Sequence, residues 1–205
     1  MEGEQRQVGG NEHGVTRREF PVAAGGIALA AGGSAMAADA PPAGPVEAPS
    51  PGGYAPPKFK PAWKKPQVNR GLAQDFVIYA HSDLKMVEEL LAKEPALLNA
   101  SVDWGGGDWE TALGGAAHMG RRDIVTFLLG KGARIDLFCA AMLGQLEAVK
   151  GFLTLQPALI DAKGPHGFSL HFHAQVGGKD SEKVLDYLQS VKKVELKPIP
   201  FLPKS

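Results

Sequence analysis

Residues 111–136 read TALGGAAHMGRRDIVTFLLGKGARID, and the fold is decided by how this stretch is interpreted. Leu113, Ala116 and Ala117 share one face of a short helical pattern, and small side chains there let neighbouring helices approach closely. Thr111 suits the N-cap, where a hydroxyl accepts one of the unpaired amides of a first turn. Gly120 is free to take the positive φ that stops such a helix. Asp123 is placed to cap a second helix, in which Ile124, Val125, Phe127, Leu128 and Leu129 recur at near-helical spacing. Gly132 ends it. The stretch therefore predicts a short helix, a tight turn, a longer amphipathic helix and a loop leading outward.

The pattern recurs along the chain. FVIYAHSDLKMVEELLAKEPALLNA (76–100) and FCAAMLGQLEAVKGFLTLQPALIDA (138–162) align at a constant offset of 62 residues, as Phe76 with Phe138 and Val87 with Val149 show. The intervening segments align in part: Leu113 with Leu170, Ala117 with Ala174, Gly120 with Gly177, Leu128 with Leu188. The offset changes where loops are expected. Four units of two helices each follow, and self-similarity of this kind marks a stacked solenoid.

At these residues the chain resembles the ankyrin repeat. Thr111, Leu113, Ala116, Ala117, Gly120, Ile124, Val125, Leu128, Leu129, Gly132, Ala133 and Asp136 match the family pattern, while Ala112 and Gly114 stand where it has Pro and His. The unit at 167–188 keeps Leu170 and His171. The units at 72–100 and 138–162 lack the Thr-Pro-Leu-His motif. The resemblance spans residues 72–190 and implies an all-α ankyrin-repeat solenoid of about four helix-turn-helix units over residues 69–195, with an extended tail at 196–205. More narrowly, the chain is similar to small exported bacterial ankyrin-repeat proteins. So few units need covered ends, and residues 66–75 and 190–205 are expected to cap them.

Ahead of the repeats lie two other textures. Residues 14–40, GVTRREFPVAAGGIALAAGGSAMAADA, hold Arg17, Arg18 and Phe20, a short Ala/Gly-rich apolar run and a small-x-small site at Ala35-Met36-Ala37. The order resembles a twin-arginine (Tat) export signal, with Pro21 where an apolar residue is usual. The run is too short and glycine-rich for a stable membrane span. A signal peptide over residues 1–37 and a periplasmic or extracellular location are implied. Residues 38–68 are rich in proline and poor in apolar side chains, which predicts an extended linker. Tyr54, Phe59 and Trp63 are spaced aromatics within it, expected to dock back on the domain.

Charge and cysteine usage exclude several classes. The 205 residues carry 22 basic and 22 acidic side chains, and residues 70–195 hold 13 and 16, a net of −3. A nucleic-acid or anionic-membrane protein needs a basic footprint, which is missing. The single cysteine, Cys139, permits no internal disulfide and no multi-thiolate metal site, and its apolar neighbours predict a small buried side chain.

No catalytic constellation emerges. His166, His171 and His173 lie close in sequence, yet His171 and His173 would sit about 200° apart around a helix, facing away from each other. No metal or other cofactor is expected from them. Ser169 and Thr111 read as helix caps, and no Gly-x-Ser-x-Gly elbow is present. GGGDWE lacks the Lys-Ser/Thr of a phosphate-binding loop. Asp108 and Glu110 are expected to cap the following helix and favour its positive end.

The informative segment is DWGGGDWE (103–110), in the outward loop between the first two units. Tryptophan is enriched among residues that carry binding energy. Trp104 is expected to stand exposed, and Trp109 either to do the same or to seal the neighbouring unit. The expected contact surface is Trp104, Asp108, Trp109, Glu110, His118 and Met119, and the expected function is an exported, non-enzymatic module that binds another protein. The alternative is a metal- or cofactor-binding accessory protein of an exported redox system, and a third reading is a structural envelope protein.

Overall fold

The computed structural model of the chain describes residues 47–62 and 64–202; the export signal read in residues 1–37 lies outside them. Residues 47–62 form no helix or strand, and their side chains, Tyr54 and Phe59 included, are exposed rather than docked. From there the described chain is mostly helical. Its helices are α1 (Arg70–Ala80), α2 (Leu84–Lys93), α3 (Ala112–His118), α4 (Arg122–Gly130), α5 (Leu137–Met142), α6 (Leu146–Leu155), α7 (Leu170–Val176) and α8 (Glu182–Val191). Strands β1 (Ser101–Asp103) and β2 (Trp109–Thr111) form one antiparallel hairpin between α2 and α3. Among the described residues no helix is long and apolar enough to cross a membrane.

The helices pack in sequential pairs: α1 on α2, α3 on α4, α5 on α6, α7 on α8. The first helices of successive pairs also pack together, α1 on α3, α3 on α5 and α5 on α7. Side-chain oxygens start many of these elements. Asn69, Asp83, Thr111, Asp136 and Ser169 each accept a backbone amide from the first turn of the helix that follows. Asp123 does not cap α4. It lies inside the first turn, where its carboxylate still favours the positive helix end, and it is bridged by Arg121 at 3.0 and 2.6 Å. Gly120 (φ 68°) and Gly144 (φ 77°) make the sharp turns within the second and third pairs, and a Cβ on Gly144 would run into the Asp180 carbonyl.

Two apolar clusters fill the interior. One joins Phe76, Val77, Val87, Leu97, Leu113, Ile124, Val125, Leu128 and Met142; the other joins Leu137, Val149, Leu153, Leu170, Val184 and Leu188. Cys139 is fully buried, and burial pushes its thiol up to about 12, so it packs as a small apolar side chain. Val68 and Ile199, from the two terminal segments, pack against the first cluster. Beyond α8 the chain is held by Gln189, which exchanges hydrogen bonds with Val194, and by Gln175, which donates to the Lys197 carbonyl.

Candidate functional site

The outward loop between the first two helix pairs is the β1/β2 hairpin, in register Ser101↔Thr111, Val102↔Glu110, Asp103↔Trp109. Gly105, Gly106 and Gly107 all have positive φ, and the Asp103 carboxylate accepts the amides of Gly105 (2.9 Å) and Gly107 (3.0 Å). Side chains alternate across a strand, so β2 sends Trp109 outward and Glu110 inward. Trp109 is 61% exposed and Glu110 is 1% exposed.

The expectation that Trp104 stands exposed is overturned, and Trp109 takes the exposed one of its two expected places. Trp104 is half-buried against the apolar core, and its indole N–H donates to Glu110 Oε2 at 2.8 Å. Of the six residues expected to form a contact surface, Trp109 is exposed, and Trp104, Asp108 and Met119 are half-buried. Glu110 and His118 are buried, because β2 alternation and the inward face of α3 both point them into the protein. Neither Asp108 nor Glu110 caps α3; Thr111 does so, through Gly114 N–H at 3.1 Å.

Around Glu110 gather three histidines from distant parts of the chain. His118, the last residue of α3, places Nδ1 3.0 Å from Glu110 Oε1. His81, at the C-cap of α1, places Nε2 3.4 Å from Glu110 Oε2. His166, from the loop before α7, places Nε2 3.6 Å from the same oxygen. His166 is the one non-glycine residue with positive φ among those described (φ 58°). The ring of His118 lies 4.9 Å from that of His81 and 5.2 Å from that of His166, centroid to centroid. Room for the His81 ring comes from α3: a Cβ on Gly115 would sit 2.8 Å from His81 Cε1.

The outer nitrogens of two rings are engaged. His81 Nδ1 donates to the Val77 carbonyl at 2.8 Å, and His166 Nδ1 lies 2.9 Å from Asp108 Oδ2. Asp108 Oδ1 also accepts the His166 backbone amide at 2.8 Å, so this carboxylate holds the loop in place. Burial works against the charge of Glu110, but the imidazoles of His118 and His81 beside it outweigh that and hold the carboxyl well below the usual range. Burial likewise opposes protonation of His81, yet the Glu110 carboxylate beside it raises its pKa. At His118 burial wins, helped by the charges of His81 and His166, and the pKa falls.

His166, His171 and His173 have separate partners. His171 Nε2 donates to the Lys192 carbonyl, and His173 is buried with Nδ1 on the Ser169 carbonyl. The local cluster in sequence is thus three unrelated environments, and the partners of His166 are His81 and His118, which sequence reasoning misses. One signal points to them. Ala80-His81 and Ala117-His118 both close the first helix of a pair, and stacked pairs bring such ends side by side.

On the other side of the hairpin lies a groove of about 400 Å³. Its floor is Leu137, Phe138, Phe152 and Leu159, and Trp109 and the exposed Lys163 stand among its lining residues. No protein-family model matches the chain, and comparison with curated proteins finds no relative.

Proposed function

We propose that the chain is an exported, non-enzymatic ankyrin-type repeat module that binds another polypeptide through its hairpin finger and the groove beside it. The observation that carries this reading is the 61% exposure of Trp109 beside an apolar groove. A large aromatic side chain in water beside further apolar surface is where an interface places its strongest contacts. The finger is stiffened for display, since its inner face is tied by Trp104 to a buried carboxylate. Export is supported by Arg17, Arg18 and Phe20 ahead of the Ala/Gly-rich run.

The lining of the groove supports a more specific occupant. Asp136 accepts the Cys139 amide and Asp108 is held by His166, while Lys163, also in the lining, is exposed and brings a positive charge to the groove. An extended segment of another protein, with an apolar side chain for the groove and a carboxylate for Lys163, fits this lining. Selection from a phage-displayed peptide library on the full chain tests the reading. Enrichment of apolar–acidic peptides that no longer bind Trp109→Ala or Lys163→Glu is expected. Enrichment indifferent to both substitutions, or none at all, overturns it.

A further inference from the structure

The buried side of the hairpin carries more chemistry than stiffening a finger requires. We propose that His81, Glu110, His118 and His166 form a binding site for one divalent first-row transition-metal ion of the zinc class. The inference goes beyond the peptide groove and holds whether or not that groove is used.

Hydrogen-bond polarity is the first argument. A carbonyl oxygen only accepts, so His81 Nδ1 carries a proton, and in the neutral ring Nε2 is then the bare lone pair, turned toward Glu110. Asp108 imposes the same tautomer on His166. With both rings neutral, two imidazole lone pairs and a carboxylate converge, acceptor facing acceptor; protons on the rings relieve that clash, and so does one metal ion shared by all the donors. Such outer-nitrogen bonds to carbonyls and carboxylates are how metal-ligating histidines are oriented, and ligating carboxylates are themselves hydrogen-bonded, as Trp104 does for Glu110.

Unmet polar groups are the second argument. Glu110 Oε1 and His118 Nδ1 approach to 3.0 Å without the alignment of a hydrogen bond, and neither has another partner. Both side chains are more than nine-tenths buried and aim into the cluster. A buried polar atom left unpaired destabilises the fold, and a coordinated ion removes that cost for both.

Dimensions agree. The four residues each offer one ligand atom, all within 4.8 Å of one another. Glu110 Oε2 stands 3.4 Å from His81 Nε2 and 3.6 Å from His166 Nε2, while its Oε1 is 3.0 Å from His118 Nδ1. Donors on a tetrahedron with bonds of 2.0–2.1 Å stand about 3.3 to 3.4 Å apart. Three imidazoles with one carboxylate and no thiolate suit zinc, cobalt, nickel or copper in the divalent state rather than magnesium, calcium or copper(I). Four protein ligands close a tetrahedral site, which favours a structural ion over a catalytic one. The side chains of His81 and His166 are 24% and 34% exposed, so an ion can reach the site from solvent. Its four ligands come from α1, β2, α3 and the loop before α7, and the ion would clasp that distant loop to the first two helix pairs.

The test uses the full chain, stripped with a chelator and titrated with Zn²⁺ by competition calorimetry and with Co²⁺ by absorption. Expected are one ion per chain, tetrahedral Co²⁺ d–d bands and a rise in Tm. His166→Ala, on an exposed loop and so no threat to the core, should weaken binding at least 100-fold, as should Glu110→Gln. Asp108→Asn, a change at a positioning residue, should weaken it about tenfold to 100-fold. His171→Ala and Trp109→Ala should leave one ion per chain. No bound ion in the parent chain, or binding that survives both His166→Ala and Glu110→Gln, overturns the proposal.

Discussion

His166 and Asp108, 58 residues apart in sequence, meet through two hydrogen bonds at once: ring Nδ1 to Oδ2 at 2.9 Å and backbone amide to Oδ1 at 2.8 Å. One carboxylate thus holds a residue in the left-handed region, a conformation that costs a non-glycine residue on the order of 1 kcal/mol and persists only when its surroundings impose it. Asp108→Ala is expected to release the loop at residues 163–169. Hydrogen exchange at the His166 and Gly167 amides should speed up at least tenfold while the amides of α4 stay protected. Unchanged exchange in the loop would show that Asp108 does not anchor it.

Trp104 and Trp109 should separate cleanly in stability. Trp104→Phe keeps an aromatic ring but removes the N–H that Glu110 accepts, leaving that buried oxygen short of a donor. A loss of about 1–3 kcal/mol in denaturant unfolding is expected. Trp109→Ala removes a side chain that is 61% exposed and should change stability by no more than about 0.5 kcal/mol. The opposite order would mean that the hairpin is seated the other way round.

The helix pairs are legible in the sequence because their signals are local: caps at Thr111 and Ser169, glycine at position 120, and apolar spacing within single helices. The site is less so. Which of two tryptophans faces water depends on the phase of a three-residue strand, and a glycine loop whose extent the sequence does not mark hides that phase. Glu110 reads as a helix cap by its position before α3, yet strand alternation turns it inward. His81, His118 and His166 meet only through stacking of successive first helices and the fold-back of a distant loop, which no local spacing reveals. Gly115, in the middle of a short helix where glycine weakens the element, is the visible trace of that crowding.

Glycine positions give a paired prediction of opposite sign. Gly151 lies in α6, exposed, with nothing within 4 Å of where a Cβ would stand, so Gly151→Ala should stabilise by about 0.5–1 kcal/mol through lower chain entropy. Gly115 in α3 faces the His81 ring at 2.8 Å from the corresponding point. Gly115→Ala gains the same helix propensity but should lose about 1–3 kcal/mol to overpacking. Chemical denaturation of the two variants side by side reads the difference. Equal stabilisation would show that His81 moves aside freely.

The last prediction concerns acid. His173 is fully buried, and its pKa is lowered to about 4, by burial first and by the charge of His118, against the Ser169 carbonyl and Glu110, which raise it. In the unfolded chain a histidine titrates near 6.5. Between these values the unfolded state binds the extra proton, so stability falls as pH drops from about 6.5 to about 4 and this contribution levels off below. A shift of that size corresponds to on the order of 3 kcal/mol across the window. His173→Asn keeps a donor for the Ser169 carbonyl but does not titrate. Its stability should therefore fall less steeply over the same interval, read as urea midpoints at half-unit steps of pH on metal-free protein. Parallel curves for the two chains would show that His173 is protonated in the fold as readily as outside it, and that the acid sensitivity lies elsewhere.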